Sequence, residues 1–282
     1  MQDYAPKIFY NYIPSNSGVK KAIKRGQILV DSNKGKTATW INGGQVLELL
    51  ENTQTIPKIF ECKLPVIFED DFMAVINKPA GLTVSGNQYK TVANALPFNL
   101  SKSQQQDALQ FPMPVHRIDN QTSGILLIAK TKTAQIELGK QFENSTIQKI
   151  YYTIVIGKTH SHQKIEIPIE AKTAITNFKI IKTVKSLKFK ELSYLKVTPK
   201  TGRTHQIRIH LAAINHPILG DKLYGNPKLN HKGKGLFLCA SEIQFLHPKT
   251  FKTIHLKIDT PHKFESMLVR EKRRWNTYNL TK

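Results

Sequence analysis

Residues 114–131 read PVHRIDNQTSGILLIAKT, and their pattern decides what kind of fold the chain builds. His116, Arg117 and Asp119 fall in a polar loop, and Thr122-Ser123-Gly124 reads as a turn. Residues 125–129 then form an unbroken apolar run of strand length, the mark of a strand covered on both faces. A helix is expected over residues 133–144, where Ala134, Leu138 and Phe142 recur every four positions on one face. Residues 151–156 alternate as a strand that stops at Gly157. Further out, strands are expected at 66–68, 73–76, 164–167, 178–183, 192–197, 236–239 and 253–258. A second helix is expected over 204–215, with Thr204 as its cap and Ile207, Leu211 and Ile214 on one face, and a basic helix over 263–275. Strands that cluster, with irregular helices between them, make this an α+β protein and not a doubly wound sheet.

Upstream stands a smaller unit. Residues 17–24 read as a short basic helix capped by Ser15 or Ser17, followed by strands at 27–30, 38–41 and 45–49. SNKGK and Gly43-Gly44 supply the turns between them. The polar stretch ENTQTIPK, residues 51–58, marks a boundary, so a small basic domain is expected over 1–55 and the main domain over 56–282. So small a core is marginal alone.

The charge balance points to a polyanion. Lys and Arg number 42 against 20 acids, a net charge of +22, which repels itself in the compact state unless an anionic partner is met. A generally lysine-rich proteome is the plain alternative. The basic residues are scattered instead of gathered on one amphipathic helix, which disfavours a membrane surface. No apolar run is long enough to span a bilayer, and the N-terminal MQDYAPKIFYNYI resembles neither a signal nor a transit peptide. Cys62 and Cys239 are too few and too far apart for a disulfide framework, so a reduced cytoplasmic setting is expected.

Several signatures are missing: no GxxxxGK[ST], no GxGxxG after a strand, no HExxH. No metal site and no cofactor are expected; His205 and His210 would face different sides of a helix. Asp119, at the mouth of a strand beside Arg117, suits an active site, or else a turn in which it bonds its own backbone. Arg208 adjoins the apolar stripe of Ile207 and Leu211 and should be partly buried, which demands an anionic partner. Asp119 is a candidate for a bidentate pairing that would fix the carboxylate in direction; a plain structural ion pair, or a phosphate contact by Arg208 alone, remains the alternative. Tyr151 and Tyr152 should face opposite sides of their strand, one in the core and one in a cleft, or both in structural roles.

These stretches, in this order, resemble the RluA family of pseudouridine synthases. HRID followed by NQTSG is similar to that family's HRLD-x-x-TSG catalytic loop, FEDDFMAVINKPAGLTV to its opening strand and turn, and KIYYTIVIG to its tyrosine strand. GRTHQIRIHLAAINHPILGDKLYG resembles its arginine motif, and LFLCASEIQFLHP its late strand pair. The likeness runs from about residue 65 to 260. Residues of the N-terminal unit, IKRGQILVDSNKGK and GGQVLEL, resemble more weakly the small RNA-binding domain named after the fourth small-subunit ribosomal protein.

The resemblance implies a mixed, largely antiparallel central sheet with flanking helices and loops around a catalytic cleft, and a small N-terminal α/β domain. It implies an isomerase that turns uridine of ribosomal or transfer RNA into pseudouridine without a cofactor. Asp119, Tyr151 and Arg208 take the catalytic positions, with Tyr151 stacking on the ring or helping to remove its carbon-5 proton. Arg117, His116, Arg203, His205 and Lys78 are implied as substrate contacts, and Lys20, Lys21, Lys24 and Arg25 as contacts to the RNA backbone. A monomer is expected. Cys239 stands where the family usually has histidine, and Ser85-Gly86 replaces a common His-Pro. Two other readings compete: an inactive RNA-binding or ribosome-assembly factor on the same scaffold, and a base-flipping DNA glycosylase.

Overall fold

The computed structural model describes residues 1–10, 12–13, 15–50, 58–229 and 233–280, apart from the side chain of Lys228. The chain forms two compact units, Met1–Pro57 and Lys58–Lys282. Residues 51–57, where the boundary is expected, lie outside the described residues.

The first unit holds α1 (Ala5–Ile8), α2 (Asn16–Lys24), β1 (Ile28–Val30), β2 (Asn33–Lys34) and β3 (Leu47–Leu49). Its three strands form an antiparallel sheet in the order β2-β1-β3. Ser15 caps α2 by accepting from the Gly18 N–H. Ala5, Phe9, Val19, Ala22, Ile23 and Ile28 make its core. The strand expected at 38–41 is absent. Asp31 and Ser32 take left-handed backbone angles and turn the chain straight after β1, so Asn33 and Lys34 pair instead. Trp40, read as part of that strand, is 89% exposed.

Among the described residues, the second unit is built on a sheet of ten strands. They are β4 (Val66–Glu69), β5 (Met73–Lys78), β6 (Ala108–Pro114), β7 (Ser123–Thr131), β8 (Gln148–Ile156), β9 (His162–Ile165), β10 (Thr176–Ser186), β11 (Lys190–Pro199), β12 (Leu238–Leu246) and β13 (Thr253–Lys257). The order is β4-β5-β7-β12-β8-β11-β10-β9, with β6 also on β7 and β13 also on β12. Every pairing is antiparallel except that of β7 with β12. The helices are α3 (Val92–Asn99), α4 (Lys132–Glu143), α5 (Gln206–Ala213) and α6 (Lys263–Leu280). Among the described residues, no helix is long and apolar enough to cross a membrane.

β7 explains why the 125–129 run is apolar throughout. All nine residues of the strand are buried. Leu126 and Ile128 face a core that includes Val92, Ala95 and Leu96 of α3. Ile125, Leu127 and Ala129 face the opposite core, with Ala134 and Leu138 of α4. At the start of β7, Gly124 has φ 120° and lies so close to β12 that a Cβ there would overlap the Ala240 carbonyl oxygen. β12 thus runs between β7 and β8, which do not pair with each other.

α3 and β6 are elements that the periodicity does not signal. α3 contains Pro97, and β6 carries Pro112 and Pro114 on a register that shifts between Ala108 and Met113. Irregular pairing of that kind tolerates residues without an N–H. α5 is shorter than its apolar stripe suggests. His205 precedes it in a left-handed conformation, and Thr204 does not cap it. The Gln206 side chain instead ties the turn, accepting from Thr201 Oγ1 and Arg203 N while donating to Ile175 O and Thr176 Oγ1.

Candidate active site

The loop before β7 is fixed from behind. Lys78, at the end of β5, is fully buried, and its ammonium donates to the carbonyls of Pro79 at 2.9 Å, Leu82 at 2.7 Å and Asn120 at 3.1 Å. Lys78 is therefore not a substrate contact; it anchors the chain next to Asp119. Burial pushes its pKa down to about 8, against the opposing pull of Asp119. The Asp119 carbonyl accepts the Thr122 N–H at 3.0 Å and closes the turn, leaving the carboxylate free to point elsewhere. That carboxylate takes Arg208 Nη1 at 3.2 Å, with His205 Nε2 3.8 Å from its other oxygen.

The bidentate partner of Arg208 is not Asp119 but Asp221. Arg208 Nε donates to Asp221 Oδ2 at 2.8 Å and Nη2 to Oδ1 at 2.9 Å. Asp221 is buried and also receives the backbone N–H groups of Leu223 and Tyr224. These donors outweigh burial and hold its carboxyl below the usual range. Burial opposes the charge on Arg208, and the two carboxylates more than offset it. The guanidinium carbon also lies 5.1 Å from the Tyr224 ring centre, and the Tyr224 hydroxyl meets His205 Nδ1 at 3.0 Å. Arg208 is thus locked in place before it reaches Asp119. The buried acid of GDKLYG is the residue that sequence reasoning missed. Its one signal is position, directly after the apolar ILG.

The cavity these groups face has a volume of about 300 Å³. Tyr151 lines it from β8, while Tyr152 faces the other way, donating to Glu242 at 2.6 Å and stacking on Tyr194. Burial, with Asp119 and Cys239 adding to it, raises the Tyr151 pKa and keeps the phenol protonated. His116 stacks on Phe142 with ring centres 4.5 Å apart, and its Nε2 accepts from the Leu127 N–H at 3.0 Å. Burial, reinforced by Lys149, pushes His116 down to about 3. Arg117 and Arg203 are exposed at the rim, Arg203 donating through Nε to Thr173 O. His205 and His210 do diverge: His210 is buried against Thr176 and Ile167. Cys239, buried in β12, pairs in register with Ser123.

Residues 72–213, half the chain, match the family described as RNA pseudouridylate synthase. That stretch contains Asp119, Tyr151 and Arg208.

The chain belongs to the RluA family of RNA pseudouridine synthases.

The synthase is 32% identical over 281 residues to a protein of Aquifex aeolicus named as an RNA pseudouridine synthase, covering 90% of this chain and 88% of the relative. It is 30% identical to ribosomal large subunit pseudouridine synthase C of Vibrio cholerae, covering 85% and 83%. It is also 30% identical to ribosomal large subunit pseudouridine synthase D of Neisseria meningitidis, covering 88% and 72%. Its fold matches a solved structure of human RNA pseudouridylate synthase domain containing 1, with a TM-score of 0.59, 20% identity, and 75% and 87% of the two chains covered. The synthase is an isomerase acting on RNA.

In its first unit, Lys20, Lys21, Lys24 and Arg25 are all exposed on α2 and its end. Lys24 and Arg25 share a groove of about 320 Å³ with Lys34 and Lys36.

Proposed function

We propose that this synthase isomerises uridine in large-subunit ribosomal RNA and that Asp119 is its catalytic carboxylate. The observation that carries the assignment is the site's charge pattern. Among the described residues lining the cavity, Asp119 is the one carboxylate, and it is held by a guanidinium that a second, buried acid has already fixed. The bond from ribose C1′ to uracil N1 breaks, a bond from C1′ to C5 forms, the C5 proton leaves, and N1 gains a proton. No electron is gained or lost, so the net change calls for no redox partner. Asp119 acts at the sugar or its 2′ side, as nucleophile or as base. Arg208 positions it. Tyr151 stacks on the ring or helps to remove its carbon-5 proton. The target must leave its helix, at a cost of a few kcal/mol, and Arg117 at the rim helps displace it. Arg203 and His205 contact the seated nucleotide, and neutral His116 forms part of the wall.

The first unit, as an RNA-binding domain, grips the phosphate backbone through Lys20, Lys21, Lys24 and Arg25, offsetting the cost of extrusion. The names of the relatives from Vibrio cholerae and Neisseria meningitidis support ribosomal RNA as the target. The synthase works as a monomer in the cytoplasm. Asp119→Asn keeps the shape of the side chain and should abolish tritium release from RNA labelled at uracil C5 while RNA binding persists. Full release by that variant would end the assignment.

A further inference from the structure

Of the cations that line the cavity, Lys149 is placed unlike the others. Arg208 is matched by two carboxylates, whereas Arg117 and Arg203 are exposed to solvent. Lys149 is half-buried on β8, two residues before Tyr151 and so on the same face of the strand. Its ammonium lies 5.8 Å from the Phe142 ring centre and 3.8 Å from where a Cβ at Gly202 would stand, and both residues line the cavity. Among the described residues, no carboxylate lies within ion-pairing distance of it. Burial already pushes its pKa below the ordinary lysine value. A half-buried ammonium with only an aromatic face beside it is unfavourable until an anion completes it.

A nucleotide seated with its ribose at Asp119 brings such an anion, because a phosphodiester flanks the sugar on each side. We propose that Lys149 binds one phosphodiester adjoining the target uridine and so sets the depth at which the flipped nucleotide stops. Gly202 leaves the space that a phosphate oxygen needs. This rests on the reading that Asp119 meets the ribose.

Total RNA from cells deleted for the gene supplies the unconverted uridine, which the wild-type chain locates by conversion. A synthetic hairpin around that uridine then carries one neutral methylphosphonate, either 5′ or 3′ of the target. For unmodified hairpin, Lys149→Met should weaken binding roughly tenfold and make the salt slope shallower by about one. One of the two methylphosphonates should weaken wild-type binding equally and cost the variant nothing more. Lys149→Arg, which keeps the charge and guards against a folding artefact, should restore the slope. Losses that multiply at both linkages, or a variant that binds like wild type, overturn the role of Lys149 alone. Conversion of no uridine overturns it together with the proposed function.

Discussion

Arg208 holds two carboxylates with one positive charge, and the division is unequal: Asp221 takes the fork and Asp119 a single bond. Removing the buried partner should therefore be felt at the one that faces the cavity. Asp221→Asn leaves the guanidinium short of a counter-charge, which costs about 3–5 kcal/mol for a buried pair. A thermal melt should show a midpoint lower by on the order of 10 °C, and kcat should fall more than KM rises, because Asp119 loses its fixed direction. A second expectation concerns acid. His116 titrates near 3 in the folded chain against 6.5 for an ordinary histidine, so between those values the unfolded chain binds a proton that the folded one refuses. Stability contributed by His116 is thus present above pH 6.5 and lost as pH falls towards 3. His116→Gln can still accept from Leu127 but cannot titrate, so denaturant melts at pH 4 to 7 should show a shallower slope than wild type. The need of Arg208 for an anionic partner was legible from its apolar neighbours, whereas Asp119 and Tyr151 owed their place to the resemblance, since an acid in a turn and a tyrosine on a strand read equally well as structural. Asp221 was not legible. The demand of a buried arginine for a bidentate partner was clear from its neighbours Ile207 and Leu211, yet nothing in a linear pattern says which of two acids meets it.

At the scale of elements, β7 was the easiest to find and is the hardest to alter. A strand buried on both faces has no polar side to blur its pattern, whereas α3 and β6 carry prolines that periodicity reads as breaks. The strand expected at 38–41 failed for a related reason: two left-handed residues, Asp31 and Ser32, send the chain back early, and neither has a side chain that requires it. Gly124→Ala should be severe. The substitution adds strain at a positive φ and drives a methyl group into the Ala240 carbonyl, with a cost on the order of 3 kcal/mol or more. Comparing denaturation midpoints of this variant and of Gly139→Ala, where a Cβ meets nothing within 4 Å, separates the close approach from any general effect of losing a glycine.

Across the whole molecule, a net charge of +22 sets how the synthase meets RNA. Replacing Lys20, Lys21, Lys24 and Arg25 with glutamine removes four exposed charges from α2 and its end. The plot of log affinity against log salt should become shallower by roughly three; an unchanged slope would place the RNA elsewhere. The sheet carries a different consequence. Asp119, Tyr151, Arg208 and Asp221 all precede residue 238, yet β7, which follows the Asp119 loop, and β8, which bears Tyr151, meet in the sheet only through β12, which begins there. Chains stopped just short of Leu238 should contain every one of these side chains and release no tritium. A chain still being made therefore carries all four side chains before it has the one strand that brings their neighbours together.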